Sequence, residues 1–242
     1  MKKKLSIIIP VYNEEVYIER CLDKVCDVVI PNWQKEIIVI DDGSTDSTTV
    51  LLKKYVQKRK EIQVIYSKTN RGKGSALKKG IVASSGDVLI IQDGDMEYDP
   101  NDYVKILSLY ENEKVEVVYG SRILGNKYFH NNNASYIYLF GGLTLTRIVN
   151  LILGVKITDQ PTCYKSWRKF LSHDLVRFCK GDGFDFEVEM TAFFSRKTKI
   201  AEVPIHYYPR TVNQGKKIKA KDFITSVIAT VKSRFKKVDN LY

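Results

Sequence analysis

The sequence lacks any long hydrophobic run. None of its segments has the roughly 18 consecutive apolar residues that a bilayer-crossing helix needs. The basic start, Lys2–Lys4, precedes an apolar run, Leu5–Ile9, that ends after a few residues at Pro10. A signal peptide has a longer apolar region, so this run predicts a first strand instead. We expect a cytoplasmic protein, either soluble or peripheral on the cytosolic face of a membrane.

Cysteine and histidine are also scarce, with four cysteines and three histidines. The cysteine spacing fits neither a zinc site nor a dense disulfide framework, so we expect isolated reduced thiols. The histidines do not cluster in the sequence and are expected to make ordinary polar or packing contacts. These residues are Cys21, Cys26, Cys163, Cys179, His130, His173 and His206.

Acidic residues are outnumbered by basic ones, 28 against 39, which gives a formal net charge of +11. A basic surface attracts polyanions, which include nucleic acid, anionic membranes and phosphorylated substrates. The charge alone does not choose among them. The sequence has no internal repeat and no low-complexity segment, and a length of 242 residues fits a single domain.

The first hundred residues alternate between strand-like and helix-like patterns. Short runs rich in Ile and Val lack polar alternation, which is typical of parallel strands covered on both faces. Between them, apolar residues recur every three or four positions, which predicts helices. The predicted strands are Leu5–Ile9, Glu36–Ile40, Gln63–Ser67 and Val88–Gln92, and the predicted helices are Val16–Val29, Ser47–Arg59 and Gly74–Ser84. This alternation predicts an α/β fold with a Rossmann-like, mostly parallel sheet.

The second half follows a different pattern. It contains strand-like segments at Val115–Tyr119 and Ile200–His206, an Asn-rich loop at Asn126–Asn133, and helix-like segments at Ser135–Leu153, Phe184–Phe194 and Lys221–Phe235. In the last helix one face carries Ile224, Val227, Ile228, Val231 and Phe235. Such a face usually packs on the protein's own core, but both this helix and Ser135–Leu153 have nearby basic residues and could also contact a membrane surface.

Polar clusters follow the first-half strands where each strand ends. They are Pro10–Glu14, Asp41–Asp46, Asn70–Gly74 and Asp93–Glu97. Taken singly, each cluster is ordinary turn or helix-cap chemistry. Because the carboxyl ends of parallel strands meet at one edge of a sheet, the four clusters together predict a crevice lined with carboxylates and a basic glycine-rich loop.

In this order and spacing, the four clusters resemble the nucleotide-sugar-binding half of family 2 glycosyltransferases with the GT-A fold. Segments of the second half are similar to those of polyprenyl-phosphate sugar synthases, such as dolichyl-phosphate mannose and glucose synthases; they are Gly120–Arg122, Thr158–Lys165, Glu202–Ile205 and Tyr207–Arg210. The resemblance implies a GT-A-type, mostly parallel sheet flanked by helices, with a C-terminal acceptor-side helical extension. Residues 1–242 would form one catalytic domain, with a donor half at 1–98 and an acceptor half at 99–242.

The resemblance also implies a set of donor-site residues and a divalent cation, Mg²⁺ or Mn²⁺. Asp95 and Glu97 would bind the metal, and Asp93 would contact the ribose or the sugar. Gly94 is commonly Ala in the family, and glycine here lets the backbone approach the ligand more closely. The nucleoside pocket would include Pro10, Tyr12, Glu14, Asp41 and Asp42, and the phosphate contacts would include Arg71 and Lys73.

The residues needed in the acceptor site depend on the chemistry of the attacking group. A sugar hydroxyl needs a carboxylate base, whereas a lipid phosphate is already ionised near neutral pH and needs cations. Arg122 and Arg210 are the candidate cations. Asp159 would either orient an arginine or serve as the base. Asp185, Glu187 and Glu189 have the same ambiguity, and we expect Glu187 and Glu189 to be structural.

The leading prediction is an inverting, metal-dependent transferase that moves a hexose from a UDP- or GDP-sugar to a polyprenyl or dolichyl phosphate. One alternative is a related transferase that acts on a saccharide hydroxyl. Another is a nucleotide- or nucleic-acid-binding module without catalysis, although an acidic crevice would repel a nucleic-acid backbone. We therefore expect no nucleic-acid partner. The donor base and the oligomeric state are left open.

Overall fold

The computed structural model describes residues 2–59, 61–129, 136–210 and 220–236. Seven strands form one sheet in the order β3-β2-β1-β4-β6-β5-β7. The strands are β1 (Lys3–Val11), β2 (Trp33–Asp41), β3 (Ile62–Tyr66), β4 (Val88–Ile91), β5 (Val117–Ser121), β6 (Lys165–Arg168) and β7 (Ile200–Pro204). The predicted α/β class and mostly parallel sheet are confirmed.

Nine α-helices lie within the described ranges. They are α1 (Ile18–Asp27), α2 (Thr48–Lys58), α3 (Lys73–Ala83), α4 (Asp102–Ser108), α5 (Arg122–Phe129), α6 (Tyr136–Leu153), α7 (Ser172–Phe178), α8 (Asp185–Lys197) and α9 (Ala220–Phe235). In these same ranges no helix is both long and apolar enough to cross a membrane.

The core forms where the strand and helix patterns of the sequence meet. Ile7, Ile8 and Ile9 of β1 are fully buried, as expected for a central strand covered on both faces. In α1, residues at helical spacing (Ile18, Cys21, Leu22 and Val25) are buried against the sheet. Strands β1 to β4 pair in parallel, so their carboxyl ends share one edge of the sheet.

The structure corrects two predictions in the second half. Strand β6 was not predicted, and it lies between β4 and β5 and pairs antiparallel with both. The predicted loop at Asn126–Asn133 is wrong for Asn126–Phe129, which belongs to α5. The remainder of that loop, including His130, lies outside the described residues. His173 and His206 pair with Asp174 and Asp102 respectively, in agreement with ordinary polar contacts.

Candidate functional site

The predicted crevice lies at the carboxyl edge of β1, β2 and β4. Two hydrogen bonds join the loops after β1 and β2. The N–H of Asp42 donates to Val11 O at 2.8 Å, and the N–H of Asn13 donates to the Ser44 side-chain Oγ at 3.0 Å. Asn13 adopts a left-handed backbone with φ of 50°, which turns the chain directly after β1. Pro10 and Tyr12 are half-buried at this turn. The sheet topology therefore brings the polar clusters together.

Three carboxylates surround the side chain of Arg210, and we call Glu14, Asp95 and Glu97 the acidic cluster. Arg210 Nη1 lies 2.9 Å from Glu14 Oε2, and Nη2 lies 2.8 Å from Asp95 Oδ2. The backbone N–H of Arg210 donates to Glu97 Oε1 at 2.7 Å. The arginine side chain is only 10% exposed. A residue predicted for the acceptor side thus contacts both predicted metal ligands.

The surroundings of Asp95 within the acidic cluster disfavour its ionised form. Burial, followed by the charges of Asp93 and Glu97, raises the pKa of Asp95 to about 7, and Arg210 opposes this rise. Burial also acts to lower the pKa of Arg210, but Asp95 and Glu14 outweigh it and raise that pKa. Because Asp93 and Glu97 repel the ionised form of Asp95, a positive charge next to Asp95 is favourable.

Lys73, at the start of α3, lies between two carboxylates. Its Nζ is 2.8 Å from Asp93 Oδ1 and 3.2 Å from Glu187 Oε1. Burial acts to lower the pKa of Lys73, but Asp93 and Glu187 outweigh it and raise the pKa well above its ordinary value. Glu187, expected to be structural, thus contacts Lys73, one of the predicted phosphate-binding residues.

The neighbours of Glu187 on α8 have local structural contacts. Glu189 Oε2 accepts hydrogen bonds from the N–H groups of Lys180 and Gly181 at 2.6 and 2.8 Å, which agrees with a structural role. Asp185 Oδ1 accepts from the N–H of Gly183 at 3.0 Å. Both carboxylates fold the loop that leads into α8.

Asp41 and Asp42 are adjacent in sequence but differ in their partners. Both oxygens of Asp41 hold the following turn, through Ser44 N–H and the Thr49 hydroxyl. Asp42 Oδ2 accepts the N–H groups of Arg71 and Gly72 at 2.9 and 2.7 Å. Among the described residues, the buried Oδ1 of Asp42 has no hydrogen-bond partner, which makes it available to a ligand.

Arg71 is placed at the rim rather than in the interior. Its side chain is 63% exposed and lies 3.4 Å from Asp182. The predicted contact between Arg71 and phosphate stays a prediction, while its backbone fixes Asp42.

Arg122 is held by Asp159 through three hydrogen bonds. The backbone N–H and Nε of Arg122 donate to Asp159 Oδ2, and Nη2 donates to Oδ1, each at 2.8 Å. The guanidinium lies 4.9 Å from the centre of the Tyr207 ring, whose hydroxyl donates to Glu97 Oε2 at 2.7 Å. Both candidate arginines are thereby connected to the same acidic cluster, and of the two roles considered for Asp159 the contacts match the orienting one.

A solvent-open cavity of about 300 Å³ lies against Asp95 and Arg210. Its other lining residues include Tyr17, Arg20 and Lys24, which were not predicted as site residues. They lie on or just before α1, and only the position of this helix after the first polar cluster could have pointed to them. Gly94 lies nearby in a conformation with negative φ, so its glycine is not required by the backbone.

Comparison with known proteins places these features in a family. A family model described as glycosyl transferase family 2 matches residues 6–180. A dolichyl-phosphate beta-glucosyltransferase of Dictyostelium discoideum is 36% identical over 129 residues, which cover 49% of this chain and 39% of that protein. A dodecaprenyl-phosphate galacturonate synthase of Rhizobium johnstonii is 26% identical over 169 residues, covering 68% of this chain and 48% of that protein. The matches thus span less than half the length of both relatives.

The fold is similar to that of glucosyl-3-phosphoglycerate synthase from Mycobacterium tuberculosis, crystallised with Mn²⁺, UDP-glucose and phosphoglyceric acid. The TM-score is 0.69 at 20% sequence identity, and the superposition covers 96% of this chain and 79% of the other. At this identity the likeness supports the shared architecture, including the predicted GT-A-type sheet.

Proposed function

Because the chain belongs to glycosyl transferase family 2, we propose that it is an inverting, metal-dependent enzyme that moves a hexose from a UDP- or GDP-sugar to a polyprenyl or dolichyl phosphate. The observation that carries this proposal is the connection of two partly buried arginines, Arg122 and Arg210, to the acidic cluster. Such a site combines carboxylates for a metal-bound donor with guanidinium groups for an anionic acceptor.

The donor would occupy the edge of β1, β2 and β4. The free Oδ1 of Asp42 is positioned to accept a hydrogen bond from a nucleoside base or ribose. Asp93, fixed by Lys73, offers its remaining acceptor capacity to the ribose or sugar. The names of the two relatives support a lipid-phosphate acceptor, and the structural neighbour crystallised with UDP-glucose supports a nucleotide-sugar donor.

The residues present fit Mg²⁺ or Mn²⁺. Within the described part of the chain no group of three His, Cys, Asp or Glu side chains could hold a metal alone. Asp95 and Glu97 would instead be its two protein ligands, because these ions bind one or two carboxylates together with substrate phosphates. Burial, followed by the charges of Asp93 and Glu97, raises the pKa of Asp95, and a cation bound there would offset these effects. When bound, the ion would neutralise the charge that develops on the diphosphate leaving group.

The reaction would be a single displacement. A phosphate oxygen of the acceptor attacks the anomeric carbon, a new C–O bond forms there, and the bond to the diphosphate breaks with its electron pair on the departing nucleotide. The acceptor has no proton to lose, so Arg122 and Arg210 would bind it and reduce its repulsion from the diphosphate.

The contacts of Asp159 favour a lipid phosphate over a saccharide hydroxyl. A hydroxyl acceptor needs a carboxylate base, but both oxygens of Asp159 accept hydrogen bonds from Arg122. Because the acceptor's hydrocarbon chain lies in a bilayer, we place the reaction at the cytosolic surface of a membrane. Nucleic acid has no part in this proposal, and the division into a donor half at 1–98 and an acceptor half at 99–242 stays a prediction.

A two-step experiment tests the proposal. Thermal unfolding with UDP, GDP and their sugars, with Mn²⁺ or with a chelator, identifies the donor, because a ligand that binds only the native state raises its stability. Transfer of labelled sugar is then measured to a polyprenyl phosphate, to the matching polyprenol and to a saccharide. We expect a lipid-extractable product from the phosphate alone. Label only on the saccharide would contradict the proposed acceptor.

Matched aspartate variants test the role of the acidic cluster. Asp95→Asn should lower kcat/KM by at least about 100-fold, because several kcal/mol of charge stabilisation are lost. The control is Asp87→Asn at the opposite end of β4, where Asp87 accepts the N–H of Lys4. Asp87→Asn should retain turnover. Full activity of Asp95→Asn would exclude Asp95 as a metal ligand.

A further inference from the structure

Helix α9 packs against the rest of the fold through a face of small and hydroxyl-bearing residues. Its buried positions are Ser226, Ala229, Thr230 and Ser233, which recur at the three- and four-residue spacing of one helix face. This face contacts α6 and α8. The hydroxyls of Ser226 and Thr230 donate to carbonyl oxygens one turn earlier in α9, whereas among the described residues the buried Oγ of Ser233 has no hydrogen-bond partner.

Four large apolar side chains of α9 lie on the opposite face, whereas Phe223 and Val227 are partly buried against the core. Ile224, Ile228, Val231 and Phe235 are 59%, 48%, 43% and 80% exposed. At 3.6 residues per turn these four positions form a single stripe, which we call the outer stripe. An amphipathic helix that completed the protein core would have the reverse arrangement. The core-packing alternative considered for this helix is therefore wrong for the outer stripe, although Val227 at its edge is partly buried.

Exposed basic residues border the outer stripe on both sides. On the helical projection Lys221 and Lys232 lie along one border and Arg234 along the other, and all three are exposed. Helix α6, which packs against α9, also exposes Phe140, Arg147 and Leu151. Apolar side chains bordered by Lys and Arg are typical of helices that lie in the interface of a bilayer.

We infer that the outer stripe of α9 inserts into the surface of an anionic bilayer. The functional reason for this contact, access to a lipid acceptor, rests on the proposed function. The charge of the surface selects this occupant over a second copy of the chain. Two copies would bring the same lysines and arginines together in a protein of net charge +11, whereas anionic headgroups neutralise them. The apolar side chains would enter the acyl boundary and the basic side chains would extend to the headgroups.

The experiment measures binding of the purified chain to vesicles, in the absence of donor and acceptor. Flotation uses phosphatidylcholine vesicles with or without phosphatidylglycerol, at low and high salt. We expect binding to the anionic vesicles that weakens with salt. Lys221→Gln and Lys232→Gln should each lower the partition coefficient by about fivefold on anionic vesicles.

The apolar contribution is tested with a matched pair of double variants. Ile228→Asn with Phe235→Ser should lower anionic-vesicle binding by at least about tenfold, because two apolar side chains no longer leave water. The control is Val82→Asn with Phe170→Ser, two residues that are 72% and 63% exposed on other elements. The control should bind like the unaltered chain. Equal loss in both, or no loss in either, would overturn the inference.

Further measurements separate this inference from its premise and from self-association. The outer-stripe double variant should keep its transfer rate to a short, water-soluble polyprenyl phosphate and lose it for the same headgroup on a long chain in vesicles. Vesicle binding without transfer to either acceptor would contradict the proposed function and leave the membrane face standing. Light scattering that shows a dimer broken by the double variant, with no vesicle binding, would assign the stripe to a second copy instead.

Discussion

The contacts of Arg122 make its side chain dependent on a single carboxylate. Asp159 is 2% exposed and receives three hydrogen bonds from Arg122. Burial acts to lower the pKa of Arg122, but Asp159 outweighs it and raises the pKa well above its ordinary value. The N–H groups of Thr158 and Asp159 in turn donate to Glu202, which fixes the turn that carries the carboxylate. We therefore propose that Asp159 is a positioning residue for Arg122.

A double-mutant cycle tests this assignment. Asp159→Asn should destabilise the fold by roughly 3 kcal/mol, because it leaves the Arg122 charge buried without a counterion. Asp159→Asn and Arg122→Gln should each lower kcat/KM for the lipid phosphate. The kcat/KM of the double variant should be no lower than that of the less active single variant, because both residues act through one group. Urea unfolding and steady-state kinetics provide the two measurements.

The same variants distinguish a base from a positioning residue. If Asp159 removed a proton from a hydroxyl acceptor, Asp159→Asn would be more damaging than Arg122→Gln, and kcat would no longer rise with pH. Additive losses in the cycle would also contradict the assignment.

Single residues show where prediction from sequence stops. Asp95, Glu97 and Arg210 could be selected because each lies in a local motif with the right chemistry. Their mutual contact could not be predicted, since Arg210 reaches the acidic cluster from the far end of the chain. Glu187 was assigned to structure for the same reason: nothing in the α8 pattern indicates that Lys73 lies 3.2 Å away.

Among the loops that connect strands to helices, two glycines of the site differ in what they permit. Gly72 precedes α3 with φ of 103°, and a Cβ there would lie 2.4 Å from the carbonyl oxygen of Asp182. At Gly94, after β4, a Cβ would meet Val11 Cγ2 at 3.4 Å, an ordinary contact. Of these two positions, only that of Gly72 therefore requires glycine.

Alanine substitutions test this difference. Gly72→Ala should destabilise the fold by at least about 2 kcal/mol, because both the backbone angle and the carbonyl contact are unfavourable. It should also weaken nucleotide binding, since the N–H of Gly72 holds Asp42. Gly94→Ala should stabilise the fold by about 0.5 kcal/mol through the unfolded state. Thermal unfolding and calorimetric titration with UDP and Mn²⁺ measure both effects.

The outcome at Gly94 also tests how closely its backbone approaches the ligand. If Gly94→Ala folds normally but loses nucleotide affinity, the glycine is needed for close approach of the backbone. Normal affinity would show that alanine serves equally well.

Strands and helices were predicted well where hydrophobic periodicity is strong and poorly where polar residues are buried. The strands β1 to β4 follow from their Ile- and Val-rich runs. Strand β6 was missed because its sequence, Lys-Ser-Trp-Arg, has no apolar pattern; Lys165 is nevertheless fully buried and donates to Gln160 O and Thr162 O. The Asn-rich composition that suggested a loop also concealed the end of α5.

Across the folded chain, buried tyrosines form a layer between the sheet and the site. The rings of Tyr98, Tyr103 and Tyr164 pack with centroid distances of 5.0 and 5.5 Å, and Tyr98 also contacts Tyr207. The hydroxyls of Tyr103 and Tyr164 both donate to Gln92 Oε1. This layer supports the loop that carries the acidic cluster.

Stability at alkaline pH should be limited by Tyr98, Tyr103 and Tyr164 of this layer, together with Tyr119, which is also buried. Burial raises the pKa of Tyr98, Tyr103, Tyr119 and Tyr164 well above the ordinary value. Their raised folded pKa contributes stability that is fully present below the unfolded pKa of about 10. Above that pH the unfolded chain loses protons that the native state keeps, so the free energy of unfolding falls by up to about 1.4 kcal/mol per tyrosine for each pH unit.

Four such groups remove about 6 kcal/mol in total by pH 11, relative to neutral pH, which is comparable to the whole stability of a typical domain. We therefore expect cooperative unfolding just above pH 10, in which tyrosinate absorbance and loss of circular dichroism change together. Above pH 10 the free energy of unfolding of Tyr103→Phe should fall less steeply with pH, by about one quarter, because one of the four tyrosines no longer titrates. This holds even if the lost hydrogen bond to Gln92 lowers the free energy of unfolding at neutral pH. Gradual ionisation of these tyrosines in a chain that keeps its circular dichroism would mean that the layer is open to solvent, and the support it gives to the acidic cluster would then have to come from elsewhere in the fold.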